Sequence, residues 1–241
     1  MNAQTASARP ARALRTSRTA LAQAQKSGAG VPAYTRWINR RLARGVAAAA
    51  VRIGMTPNAV TLLSAAMSAA GIAVIAAAPP SAGSGVAAAV LLAAGYVLDS
   101  ADGQVARLSG ASSPAGEWLD HVVDAIRSPA IHLGVAVGCF VHRPQDVWLM
   151  GVALGFALLT SGQFMSQILA EQLASRHGRS VSEPSGVAKS VALIPTDPGT
   201  LCWAFALWGA HAAFAAVYVL LFIANLIHAG ISMRRKHRRL R

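Results

Sequence analysis

Five carboxylates crowd into the 26 residues from Asp99 to Asp124: Asp99, Asp102, Glu117, Asp120 and Asp124. The chain has nine acidic residues in 241, and none precedes Asp99. The flanking segments, AAAVLLAAGYVL and VVDAIRSPAIHLGVAVGCFV, are apolar. A carboxylate at the edge of a hydrocarbon layer costs several kcal/mol unless it is paired or metal-bound. Solubility therefore does not explain this cluster.

Spacing suggests an explanation. Asp99 and Asp102 are i,i+3, so they share a helix face; Asp120 and Asp124 are i,i+4 and share another. Residues 110–116 are rich in Ser, Gly and Pro and read as a turn between antiparallel helices. Folding there brings both acidic faces together, where like charges repel strongly. Two divalent cations offset four carboxylates, and an all-oxygen donor set suits Mg²⁺ or Mn²⁺. Gly103 and Ala106 leave room beside the first pair for a ligand. Arg107 offers a forked, permanently charged donor suited to a diphosphate. Gly116 lets the second helix start close to the first.

The pattern Asp99-x2-Asp102-Gly103-x2-Ala106-Arg107-x8-Gly116-x3-Asp120-x3-Asp124 resembles the signature of the CDP-alcohol phosphotransferases, membrane enzymes of phospholipid synthesis. All eight fixed positions match, and the topology extends the resemblance over most of residues 32–235. The resemblance implies that an alcohol attacks the β-phosphorus of a CDP-linked lipid, such as CDP-diacylglycerol, and that CMP leaves. It implies two divalent ions on Asp99, Asp102, Asp120 and Asp124, with Asp124 as general base. Asp102, Gly103, Ala106 and Arg107 would line the CDP pocket. Asn58 and Thr61, in a Thr-Pro-Asn-x-x-Thr start familiar in the family, would stand beside it. A homodimer is expected on the same ground. Many members carry Arg or Lys directly after the last aspartate; here Ala125 stands there, and the positive group moves to Arg127. Arg127, Arg176, Arg179 and Lys189 are the acceptor-binding candidates. The Lys/Arg-rich fourth-span pattern associated with phosphorylated polyols is absent, because Ser166 to Arg176 reads SQILAEQLASR. The acceptor alcohol stays open.

The elements that must position these residues follow from composition. The chain is 54% hydrophobic and 13% charged, yet its net charge is +13, with a mean hydropathy of +0.44. These values fit if the charges flank apolar spans. Ten Lys/Arg lie in residues 1–54 and six in 234–241. The expected fold is an all-α integral membrane protein: six transmembrane helices preceded by an interfacial amphipathic helix. Residues 1–30 read as a disordered basic cytoplasmic tail without a secretory core. Residues 31–54 read as the interfacial helix, with Tyr34, Trp37, Ile38 and Leu42 toward acyl chains and Arg36, Arg40, Arg41 and Arg44 toward phosphates. Residues 55–233 form the catalytic domain, with spans near 57–78, 85–107, 115–141, 147–173, 190–209 and 211–232. The fifth is expected to be kinked or broken by Pro195, Asp197 and Pro198. A second basic tail covers 234–241. The positive-inside rule places both termini and the motif at the cytoplasmic face of the inner membrane. Membrane lipids are the expected surroundings, and no nucleic-acid partner is expected.

The remaining polar residues have plainer readings. Glu117 suits a helix start, His121 faces away from the acidic stripe, and Arg127 can pair with Asp124 one turn back. His132, His211 and His228 read as satisfied helix residues. Asp197 either caps a broken helix or meets the acceptor. Cys139 and Cys202 are buried bystanders. Two other functions compete with the enzyme: an ion-coupled transporter, which needs midspan acids and repeat symmetry, and a scaffold that has lost catalysis. The acids sit at span ends, no repeat is visible and the motif is complete, so the enzyme reading is preferred.

Overall fold

The computed structural model describes residues 30–177 and 186–241. Arg9, Arg12, Arg15, Arg18 and Arg179, together with most of the expected N-terminal tail and the tip of the 174–189 loop, lie outside the described residues. Among the described residues the fold is wholly helical. A π-helical turn, Thr35–Asn39, leads into α1 (Arg40–Ile53). Then come α2 (Pro57–Ala77), α3 (Ala82–Ser109), α4 (Pro114–His142) and α5 (Val147–Arg176). After the loop come α6 (Val187–Ala192), α7 (Pro198–Ala204) and α8 (His211–Leu240).

Five of these helices, α2, α3, α4, α5 and α8, are long and apolar enough to cross a membrane. The bundle is a multi-pass membrane protein by that measure. The segment read as a fifth span is not one helix. It divides into α6, the tight turn Ile194–Thr196, α7 and a second tight turn, Phe205–Leu207. Pro195 and Pro198 remove backbone donors, and Asp197 restarts the helix by accepting from Gly199 N at 3.0 Å. The basic C-terminal residues are helical. They extend α8 to Leu240, because Arg and Lys are good helix formers and sit favourably at a helix C-terminus.

Local chemistry sets the other helix ends close to where the sequence puts them. Thr56 caps α2 by accepting from Ala59 N at 3.2 Å, with Pro57 in the first turn. Ser81 caps α3 in a reciprocal arrangement with Ser84. Gly110 ends α3 at φ 68°, a backbone only glycine adopts cheaply, and Ser113 and Pro114 start α4. This is the turn that folds the two halves of the acidic motif together.

The core holds α2, α3, α4, α5 and α8 around Ile75, Leu92, Val135, Phe156, Trp208 and Tyr218, all at most 2% exposed. A second cluster docks α1 on α3 through Ala43, Ala47 and Ala50 against Ala101, Val105 and Leu108. Helices α2 and α3 approach so closely that a Cβ at Gly95 would strike Ser68 Oγ; Ser64 Oγ uses that approach to donate to Gly95 O at 2.8 Å. The outward faces carry large apolar side chains such as Leu62, Val90, Phe140 and Leu158. Ile38 and Leu42 are exposed as expected, while Tyr34 is half-buried. Its hydroxyl accepts from Trp203 Nε1 at 2.9 Å, so its polar end is satisfied within the protein.

Candidate active site: a carboxylate centre at one end of the bundle

Asp99 projects from the C-terminal part of α3, and Asp120 and Asp124 from the N-terminal part of α4. One carboxylate oxygen from each lies within 4.8 Å of the other two. Three carboxylates this close repel one another, and α3 and α4 are held together regardless by packing against α2 and by the Gly110 turn. Arg127 lies among them. Its Nη2 donates to Asp99 Oδ1 at 2.7 Å and to Asp124 Oδ1, and its Nη1 donates to Ser64 Oγ at 3.0 Å. With Arg127 only 13% exposed and Asp99 15%, this ion pair is poorly screened.

Asp102 is adjacent but differently held. It is 5% exposed, accepts from Thr61 Oγ1 at 2.6 Å and from Gly103 N at 2.5 Å, and is not part of the closest trio. Thr61 thus positions Asp102 from α2. Asn58, one turn earlier, lies beside Gly116: a Cβ there would come within 3.3 Å of Asn58 Oδ1 and 3.2 Å of Ser113 Oγ. Gly103 faces the Arg107 guanidinium, with a hypothetical Cβ 3.2 Å from Nη1. Arg107 is exposed at the rim, next to the small residue Ala106.

The donor set is uniform: carboxylate oxygens, with no thiol or imidazole in the group. His121 turns away, 3.9 Å from Glu117 and edge-on to Phe164, as its position on the helix suggests. Cys139 and Cys202 are buried and unpaired by disulfide. Such an all-oxygen centre fits a hard divalent cation.

The sequence candidates divide as follows. Asp99, Asp120 and Asp124 come together, with Asp102 and Thr61 alongside. Arg127, named for the acceptor, sits inside the acidic cluster. Arg176 ends α5 and does not line the cavity beside the cluster. Lys189 lines a cavity that also touches Asp99, Asp124 and Arg127. Asp197 is a cap and more: its oxygens accept from Thr35 N and Thr35 Oγ1, each at 2.8 Å, and Thr35 Oγ1 lies 2.7 Å from Tyr96 Oη. That clip joins the π-helical turn to the broken segment and to α3. Proximity across 162 residues leaves no mark in sequence spacing.

Apolar helices with a carboxylate centre at one end define a multi-pass membrane protein built to handle charge at its surface. Residues 54–233 match the CDP-alcohol phosphatidyltransferase family, and the chain belongs to that family. It is also 32% identical, over 90 residues, to the archaetidylinositol phosphate synthase of Pyrococcus horikoshii. That match covers 37% of this chain and 45% of the relative, so less than half the length of that relative is spanned. The family match includes the carboxylate trio.

Proposed function

We propose that the protein transfers a phosphatidyl-type group from a CDP-linked lipid, such as CDP-diacylglycerol, to an alcohol and releases CMP. The convergence of Asp99, Asp120 and Asp124 within 4.8 Å carries this reading. A pair of Mg²⁺ or Mn²⁺ ions bound by these residues and Asp102 would neutralise charge on the diphosphate. Asp102, Gly103, Ala106, Arg107, Asn58 and Thr61 bind the CDP moiety: Arg107 supplies a forked donor for phosphate oxygens, and Gly103 leaves room for them. Asp124 takes the proton from the acceptor hydroxyl. The new bond joins the acceptor oxygen to the β-phosphorus, and the bond from that phosphorus to the bridging oxygen breaks, so CMP departs with the electron pair. Arg127 holds Asp99 and Asp124 in place.

The working chain crosses the inner membrane six times, with α6 to the Phe205–Leu207 turn as a broken crossing, and acts as a homodimer with its site and both termini in the cytoplasm. Supporting this topology, Ser190 accepts from Arg36 at 3.1 Å near the acidic end, while the Arg143 guanidinium lies 5.9 Å from the Trp208 ring at the far end. The basic residues of α1 and of the end of α8 also lie at the acidic end. α1 lies at the interface, with Ile38 and Leu42 toward lipid. An ion-coupled transporter is disfavoured, since the acids stand at helix ends and not at midspan.

The test is CMP release from CDP-diacylglycerol by membranes containing the protein, assayed with a panel of alcohols. Release should require Mg²⁺ or Mn²⁺ and fall by about 10²–10⁴-fold in Asp124→Asn. Full turnover by that variant removes the assigned base, and no release under any condition removes the transferase reading.

A further inference from the structure

The residues ahead of α1 are tied both to the broken segment and to α3. Tyr34 Oη accepts from Trp203 Nε1 at 2.9 Å, and Arg36 Nη1 donates to Ser190 Oγ at 3.1 Å; both partners belong to the broken segment. Asn39 is fully buried and donates through Nδ2 to Tyr96 O at 3.3 Å and to Ser100 Oγ at 2.6 Å. Tyr96 and Ser100 flank Asp99 on α3. Thr35 reaches both places at once. Its N and Oγ1 donate to Asp197, and its Oγ1 lies 2.7 Å from Tyr96 Oη. The turn that carries Thr35 and Asn39 is π-helical, a form that recurs at functional sites.

Proton count fixes the direction of this relay. A threonine hydroxyl has one proton, and Thr35 gives it to the Asp197 carboxylate, so Tyr96 Oη donates to Thr35 Oγ1. Asp197 is 1% exposed, and its donors Thr35 N, Thr35 Oγ1 and Gly199 N are neutral. A carboxylate buried this deeply is stable only with such donors. It is anchored in turn: it caps α7, and Asn225 of α8 donates to the nearby Pro195 O at 3.2 Å. The relay is also part of a wall. Pro32, Tyr96 and Asp197 line a cavity of about 790 Å³ together with Asp99, Asp124 and Arg127. Helix α4 lines the same cavity as far as His132, whose Nδ1 lies 2.7 Å from Tyr218 Oη while its Nε2 has no partner among the described residues. The histidine expected to be a satisfied helix residue is satisfied at one nitrogen only.

We infer that Asp197 is a positioning residue for Asp99: through the hydroxyls of Thr35 and Tyr96, with Asn39 beside them, it fixes the turn of α3 from Tyr96 to Ser100 and so sets how tightly the carboxylate centre holds a divalent cation. The inference rests on the reading above in taking Asp99 as a metal ligand. Arg127 holds the Asp99 side chain, but the side chain is placed no better than the backbone that carries it. The like charges of Asp99, Asp120 and Asp124 push α3 and α4 apart. Ligands for an ion must stay within about 0.5 Å of their working geometry. The relay opposes that push from outside the centre, on the side of α3 that Tyr96 presents to Thr35.

The test uses the purified full chain in lipid nanodiscs. Mn²⁺ binding is titrated by electron paramagnetic resonance, and CMP release from CDP-diacylglycerol is followed with the panel of alcohols. Tyr96→Phe, Thr35→Val and Asp197→Asn should each weaken Mn²⁺ binding about tenfold and raise by the same factor the Mn²⁺ concentration for half-maximal CMP release. Saturating Mn²⁺ should recover most of the turnover. Thr35→Ser, which keeps the hydroxyl, should bind Mn²⁺ as the wild type does. Tyr96→Phe combined with Thr35→Val should be no weaker than the worse single variant, as expected of groups acting in one chain. Trp203→Phe removes the neighbouring tie to Tyr34 but spares the relay, and should leave Mn²⁺ affinity unchanged. Tyr96→Phe removes a single oxygen and serves as the readout should Asp197→Asn not fold. Unchanged Mn²⁺ affinity in folded Tyr96→Phe and Thr35→Val, with only a lower melting temperature, overturns the inference and makes the clip purely structural. So does an equal loss in Trp203→Phe. Relay-dependent Mn²⁺ binding without CMP release under any condition overturns the transferase reading and leaves the inference standing. Folded wild-type protein that binds no Mn²⁺ overturns the inference, and with it the metal in the transferase reading.

Discussion

Helix α4 carries a polar cluster at each end, and the two are built on opposite electrostatic plans. At its start, Asp120 and Asp124 meet Asp99 around a single guanidinium. Just past its other end, about 34 Å from Asp120 along the axis, Arg143 and Asp146 meet His211. There the charges cancel. Arg143 Nη1 lies 2.5 Å from His211 Nδ1, so that nitrogen is the acceptor and Nε2 carries the proton. Nε2 faces Asp146 Oδ2 at 3.2 Å, poorly aligned as a hydrogen bond. The Arg143 guanidinium also packs over Trp208. One cluster closes on itself and fastens α8 to the α4–α5 turn. The other gathers three carboxylates beside one guanidinium and opens on a cavity. The two clusters thus differ in composition: three acids beside one arginine at one end, one acid beside an arginine and a histidine at the other.

The largest contrast should come from removing one acid at each end. Asp120→Asn should lower CMP release by about 10²–10⁴-fold, yet hold or raise the melting temperature in chelator, because it relieves like-charge repulsion. Asp146→Asn should leave CMP release within about twofold and cost about 1–3 kcal/mol of stability, seen as a lower melting temperature. If both variants fail in the same assay, the two clusters are not different in kind.

Adding a divalent cation is the second test. Mg²⁺ or Mn²⁺ at about 100 times its dissociation constant should stabilise the protein by about 2.7 kcal/mol. The shift should vanish in Asp99→Asn with Asp120→Asn and persist in Asp146→Asn. A shift that survives loss of Asp99 and Asp120 would place the ion elsewhere.

Arg127 sharpens the comparison, being the one feature that makes the acidic end resemble the closed end. Arg127→Gln should lower the melting temperature in chelator by about 3–5 kcal/mol equivalent, and divalent cation should restore much of it. An equal loss with and without cation would mean that the guanidinium and the ion do not share the same carboxylates. The smallest effect is expected at Thr61→Val, which removes one hydrogen bond to Asp102. About 1 kcal/mol is at stake, so CMP release should fall by tenfold or less. A complete loss would promote Thr61 from support to a direct participant.

Several parts of this arrangement were legible in the chain. The helix start at Thr56-Pro57 and the turn over residues 110–116 are local, so residue type alone sets them. The two acidic faces follow from helical spacing. The broken segment announced itself through Pro195, Asp197 and Pro198, although spacing did not reveal that it would divide into four short pieces. Arg127 was readable as a partner of Asp124, one turn away, but not of Asp99, 28 residues earlier. Tyr34 read as a lipid-facing aromatic because its partner Trp203 is 169 residues distant.

By itself the sequence determined where the helices lie, which end of each carries charge, and that four aspartates gather at one turn. Each of these depends on residues within a few positions of one another. Only the tertiary structure decided that Asp99, Asp120 and Asp124 form the close trio while Asp102 turns to Thr61, that Arg127 sits among them, and that His132 keeps one nitrogen unpaired beside a cavity. Those outcomes depend on which side chains from distant helices meet at a given depth, and helix packing sets that geometry.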